Sequence, residues 1–296
     1  MTQLVSARRL LPLVRGAFLA DVRWLKPGNV SRSSPGHGMT AVDFERSAGP
    51  AAEAVVAGSA GVGARVRAGV EATWQVVDCN TNLGILLLTA PLVEAALAPA
   101  ASGDLRARLE GVLGGLTRED ATEAFAAIRM ASPGGLGSSA RHDVADAPDC
   151  TLLEAMAEAD DRDVIARQYT TGFSGLLDIG LDTLGEGLRR YGRRGPAVAE
   201  LQLAYVSRFP DSHVRRKHGT LAAENLQERA GHVLRSVRSA HDSRARERVL
   251  AELDQALKEE GINPGTSADL TVATLIAFRL ARIAERAGST GGSTTP

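Results

Sequence analysis

Aromatic side chains are scarce in this chain, at 4% of 296 residues, although hydrophobic residues of all kinds reach 44%. A β-sandwich draws on aromatic and β-branched strands, so the scarcity argues against one. It favours helices packed through small aliphatic side chains. Period-2 segments with hairpin turns are lacking, as are a recurring βα pattern and an internal repeat. Cysteine is limited to Cys79 and Cys150, which make neither a CxxC pair nor a disulfide framework. A reducing, cytoplasmic setting is the simple expectation. Basic excess is missing too: 34 Lys and Arg face 35 Asp and Glu, for a net charge of −1. That balance speaks against a nucleic-acid partner. The longest apolar run, 83–101, is broken by Pro91, Glu94 and Pro99. It falls short of the ~20 clean residues a membrane span needs, and reads as a buried helix. Near the N-terminus, Arg8 and Arg9 precede an apolar stretch that Arg15 interrupts. The one-faced spacing of Leu10, Leu13, Val14, Ala17 and Phe18 predicts a first bundle helix rather than a targeting segment, with a transit peptide as the minor alternative.

What is present is helix after helix, separated by short Gly/Pro/Ser/Asp loops. The spacing predicts helices over 3–22, 40–48, 51–77, 82–97, 103–115, 118–131, 150–159, 161–191, 196–208, 212–240, 243–260 and 267–287. The expected fold is all-α, a single bundle of about ten to twelve helices. One catalytic domain is expected over 1–287, with a low-complexity, disordered tail at 288–296.

Five polar segments interrupt the helices, each leading into a helix start. They are 26–43, 80–84, 133–143, 210–218 and 263–269. Helix N-termini carry free N–H groups and a positive dipole end, so several together suit phosphates. The usual signatures are absent: no GxxxxGK[ST] loop, no GxGxxG after a strand, no HExxH, no GxSxG elbow, and no His/Cys metal cluster.

These segments resemble a known family. Lys26-Pro-Gly-Asn-Val-Ser31 with Asp43, Phe44 and Ser47, then Asn80-Thr-Asn-Leu-Gly84, carry the likeness. Ala127-Ile-Arg129, Pro133-Gly-Gly-Leu-Gly137, Phe209-Pro-Asp-Ser-His213 and Asn263-Pro-Gly-Thr-Ser-Ala-Asp269 follow in the same order. The chain is similar, over nearly its whole length, to the triphosphoribosyl-dephospho-CoA synthases, and looks closest to their archaeal and methylotroph-type branch. Its His37-Gly38-Met39 departs from the acyl-carrier branch, which has an acidic residue and methionine just after that histidine. The resemblance implies an all-helical enzyme that joins ATP to 3′-dephospho-CoA, forming 2′-(5″-triphosphoribosyl)-3′-dephospho-CoA and releasing adenine. Two other readings stay open. One is a phosphoribosyl-type transferase of tetrahydromethanopterin-linked one-carbon cofactor synthesis; the other is a non-catalytic nucleotide-binding helical protein.

Breaking a ribose–adenine bond builds positive charge at C1′, which a carboxylate stabilises. The departing base needs a proton and the acceptor hydroxyl a base. Asp43, Asp211, His213 and Asp269 are therefore the expected catalytic residues, with Asp43 and Asp269 also the expected Mg²⁺ ligands. Lys26, Asn29, Ser31, Asn80, Asn82, Arg215, Lys217 and Ser267 are expected to bind substrate or phosphate. Blander roles compete: Asp269 and Asp43 as helix-cap carboxylates, Asn80 and Asn82 as turn residues, His213 and His218 as surface histidines. Cys79 reads as a buried thiol, and Arg189 to Arg194 as a solvated helix end. The expected partners are small nucleotides, and the sequence leaves a homodimer open.

Overall fold

The computed structural model describes residues 3–36, 38–58, 61–99, 104–139 and 141–291, with side chains through Arg286. Among them are fourteen α-helices, a π-helical turn and no β-strand, so the all-α expectation holds with more helices than foreseen. In chain order these are α1 (Ala7–Arg23), α2 (Ala41–Ala57), α3 (Val62–Trp74), α4 (Leu83–Leu97), α5 (Leu105–Gly114), α6 (Arg118–Ala131) and α7 (Leu152–Ala157). Then come α8 (Val164–Thr170), the π turn (Gly175–Gly180), α9 (Leu181–Tyr191), α10 (Arg194–Arg208), α11 (Ser212–His218), α12 (Thr220–Ser239), α13 (Ser243–Glu259) and α14 (Gly265–Gly291).

The differences from expectation lie in where helices break. Gly49-Pro50 reads as a stop, yet α2 runs through it. Ala48, Ala51, Ala52 and Val55 are all buried in the main core, and that packing outweighs the missing proline N–H. Instead α2 ends at Ala57 and α3 begins at Val62. The expected helix 161–191 is divided where Gly172 and Phe173 turn left-handed, at φ +62° and +60°. Phe173 is fully buried, so its packing holds a conformation that a bulky residue otherwise avoids. Gly219, at φ +87°, separates α11 from α12 within the expected 212–240 helix. At the C-terminus α14 continues to Gly291, into the segment expected to be disordered; residues 292–296 and His37 lie outside the described residues.

Helix α4 is the hub. Twelve of its fifteen residues are buried, which is why its sequence is apolar all round. It packs on α3, α5 and α14, and α14 packs in turn on α1 and α10. A second, smaller core joins α10 to α12 and α13. Helix α10 serves both: Ala197, Leu201 and Tyr205 face the main core, Ala199, Leu203 and Val206 the smaller one. The Tyr205 hydroxyl lies 2.6 Å from Thr274 Oγ1 on α14 and donates to the Gly175 carbonyl in the π turn at 3.3 Å. Buried polar groups left without partners are costly. Tyr205→Phe is therefore expected to lower unfolding free energy by about 1–2 kcal/mol, read from urea unfolding, with the helical circular dichroism unchanged.

Candidate active site

All five polar segments reach one cleft of about 630 Å³, within the size range of ligand pockets. Asn29 and Met39 come from the first, Asn80 to Gly84 from the second, and Pro133, Gly134, Leu136, Ser139, His142 and Asp143 from the third. His213, Arg215, Arg216 and Lys217 come from the fourth, and Asn263, Gly265, Thr266, Ala268 and Asp269 from the last. Helices α4 and α14 both begin here. Asn80 Oδ1 accepts the Leu83 N–H at 3.1 Å and so shapes the start of α4. Asn82 Oδ1 accepts the Thr73 hydroxyl at 3.0 Å, tying that start to α3. Opposite the polar floor, Leu83, Leu87, Phe125, Ile128, Leu152 and Met156 supply an apolar wall.

The last two segments are locked together by Asp211. Its Oδ1 accepts the N–H groups of His213 and Val214 at 3.0 and 3.2 Å, capping α11. Its Oδ2 accepts both the N–H and the hydroxyl of Ser267 at 2.8 Å, on the first turn of α14. One carboxyl thus serves two helix starts. Burial raises its pKa, against the pull of the Ser267 hydrogen bonds. Asp211 and Ser267 lie beneath the lining rather than in it. Thr266, between them, does line the cleft, and its hydroxyl accepts the His213 N–H at 3.2 Å.

Asp269 sits two residues beyond Ser267 on α14. It keeps a partial opening onto the cleft, and protein encloses it elsewhere. Among the described residues it makes no hydrogen bond. Desolvation pushes its carboxyl well above the ordinary 3.8; the charges of Asp21 and Asp211 push the same way, and Arg216 and Lys26 oppose them. Asp21, on α1, also lines the cleft, and Lys26 Nζ pairs with its carboxylate at 2.8 Å. The same ammonium donates to the Asp21 carbonyl.

The expected residues therefore separate into two groups. Asp269, His213, Asn29, Asn80, Asn82, Arg215 and Lys217 line the cleft. Asp43, Lys26, Ser31, Asp211 and Ser267 do not. Asp43 accepts the N–H and hydroxyl of Thr40 at 2.8 and 2.9 Å, a helix-cap role that lowers its pKa. Asp43 thus stands outside the lining to which Asp269 belongs. Lys26 is fully buried on Asp21, and Ser31 bridges to Ser34 within its loop. Asn29 ties the first segment to the last, donating to Asn263 Oδ1 at 3.0 Å.

Sequence reasoning missed Asp21, Arg162, Asp163 and Arg216, all in the lining. For Asp21 a signal existed: it continues the stripe Val14, Ala17, Phe18, and a carboxylate on a buried stripe calls for a partner. Arg216 is consumed by Asp163 at 2.8 Å. Lys217 is exposed and has no ion pair among the described residues.

The Asp269 environment has a consequence for stability. The folded protein holds this proton more tightly than the unfolded chain does. Its contribution is thus fully present below the ordinary pKa of 3.8 and is lost as pH rises through the folded value. Asp269→Asn removes that loss. The variant is expected to melt above the wild type at pH 8 by a wider margin than at pH 5; an equal margin at both pH values would contradict this enclosure.

Comparisons with known proteins agree with this geometry. The sequence profile of the family described as ATP:dephospho-CoA triphosphoribosyl transferase (CitG) matches residues 7–287. No curated protein sequence matches the chain. A solved structure from Archaeoglobus fulgidus, provisionally named a triphosphoribosyl-dephospho-coA synthase, superposes with a TM-score of 0.59. It is 23% identical, and the match covers 81% of this chain and 98% of that one. At that identity the likeness speaks for the fold. Among the described residues no helix is long and apolar enough to cross a membrane. The profile spans nearly the whole chain and takes in all five cleft segments, so the protein belongs to the ATP:dephospho-CoA triphosphoribosyl transferase family, and it is a transferase.

Proposed function

We propose that the cleft is where ATP and dephospho-CoA react, with Asp269 as the acid that protonates the departing adenine. The observation that carries this reading is an enclosed carboxyl, free of hydrogen bonds among the described residues, where five polar segments meet. Arg162, Arg215 and Lys217 at the rim receive the triphosphate. The starts of α4 and α14, with Asn80, Asn82 and Thr266, take the ribose, and the apolar wall takes the remaining organic surface. Mg²⁺ enters on the phosphates as part of the nucleotide substrate.

In the transfer, the acceptor hydroxyl oxygen forms a bond to C1′. The C1′–N9 bond breaks and its electron pair leaves with adenine. Adenine takes the proton from Asp269, and the acceptor's proton passes to His213. Positive charge on the sugar peaks between these events, where the carboxylate left on Asp269 stabilises it.

Chromatographic detection of adenine tests the reading. Purified protein with MgATP should release adenine only when dephospho-CoA is added. Asp269→Asn should lower kcat by about 100-fold or more, leave the KM for ATP within a few-fold, and abolish the alkaline limb of the pH–rate profile. The limb falls with rising pH because activity needs the protonated carboxyl. Arg215→Ala and Lys217→Ala should instead raise the KM for ATP by about tenfold, an effect that shrinks at high salt. Adenine release that ignores dephospho-CoA, or an alkaline limb that survives Asp269→Asn, would sink the assignment.

A further inference from the structure

Gly84 has no side chain to offer a substrate, yet it borders the Asp269 carboxyl in the cleft. A Cβ built on it would lie 2.0 Å from Asp269 Oδ2, 2.7 Å from its Cγ and 3.0 Å from Ile165 Cδ1. The first two separations are far inside contact distance, so alanine and the present Asp269 position exclude each other. Backbone conformation is not the reason for glycine here: Gly84 is in the first turn of α4 and is not among the positive-φ glycines. Alanine is the better helix former at such a position. Space for Asp269 is what the missing methyl provides.

Charges on other elements act on the carboxyl: Asp21 of α1 and Asp211 at the cap of α11 push its pKa up, and Arg216 of α11 and Lys26 after α1 oppose them. Ile165 of α8 borders the same space beside Gly84. Displaced from Gly84, the carboxyl has only the cleft itself to move into, where water reaches it and the distance to a bound base changes.

We propose that Gly84 is a positioning residue for the transfer reaction: the bare first turn of α4 is a seat that fixes the Asp269 carboxyl at the point of proton delivery. The inference rests on the reading of Asp269 as proton donor given above. Its distinguishing mark is that one added methyl helps the helix and harms the chemistry.

Gly84→Ala, Asp269→Ala and the double variant test it, each measured for melting temperature, ATP binding and adenine release across pH. Gly84→Ala is expected to melt at or about 2 °C above the wild type. It should bind ATP within about threefold of wild type and lose about 100-fold in kcat. Its alkaline limb should move to lower pH, because the ejected carboxyl is solvated again. The double variant should be no slower than Asp269→Ala alone, since both changes disable the same group. Wild-type turnover in Gly84→Ala, or losses that multiply in the double variant, would overturn the proposal. Should Gly84→Ala not fold, the double variant must fold, because it lacks the obstructing carboxyl; if it too stays unfolded, the seat is refuted. A wild type that releases no adenine with dephospho-CoA defeats the transfer reading, not the seat. The seat is then judged by NMR titration of ¹³C-labelled aspartate, and an Asp269 signal that titrates identically in wild type and Gly84→Ala refutes it.

Discussion

Asp211 is the constraint on which the site depends. A buried carboxyl accepts four hydrogen bonds, two from the start of α11 and two from Ser267 on α14. Helix starts need such acceptors because their first N–H groups have no partner within the helix. Serving both with one side chain fixes the two helices against each other. His213, Arg215 and Lys217 ride on one of them and Thr266 and Asp269 on the other, so the latch sets the spacing between cations and carboxyl. The residue looks catalytic in sequence because it is an aspartate beside a histidine. What the structure shows is its hold on the two helix starts.

The cleft lining carries both signs: Arg162, Arg215, Arg216 and Lys217 stand with Asp21, Asp143, Glu158, Asp163 and Asp269. Burying a carboxylate is costly unless it is paired or neutral. Asp21 meets that requirement by pairing with Lys26, while burial pushes the Asp269 pKa well above its ordinary value. Two carboxyls a short way apart thus meet the burial problem differently, which is how a fold prepares groups for different chemical tasks.

The architecture was legible because helical periodicity is a long-range, redundant signal. The all-apolar α4 and the Asp/Asn/Ser helix starts state their roles directly. Break points were less legible, because tertiary packing decides them: Pro50 is carried through α2 by its buried neighbours, and Phe173 is bent by its own burial. Site residues divide along the same line. Asp43 follows a local capping grammar with Thr40 three residues earlier, and that grammar describes its place. Asp269 offers the same local pattern, yet three-dimensional enclosure sets it apart, and no window of sequence displays enclosure. Lys26 lies in a Pro-Gly segment that looks exposed; its partner Asp21 lies back along the end of α1. Asp21 itself was readable as a carboxylate on an apolar stripe.

Charge also bears on how the reaction cycle closes. On the proposed chemistry Asp269 starts protonated and Lys26 balances Asp21, so this end of the cleft is less negative before transfer than its residue count suggests. A polyanionic nucleotide meets little repulsion from below and attraction from the rim. On the proposed chemistry, adenine leaves with the Asp269 proton, and a carboxylate appears beside Asp21 and Asp211. The same pocket then holds a new negative charge beneath a product that keeps its triphosphate. Repulsion in a partly desolvated cleft is stronger than in water, so the proton that drives base departure also weakens the hold on the product. Reprotonation of Asp269 from solvent restores the receptive state, which ties the partial opening of this carboxyl onto the cleft to turnover as well as to chemistry.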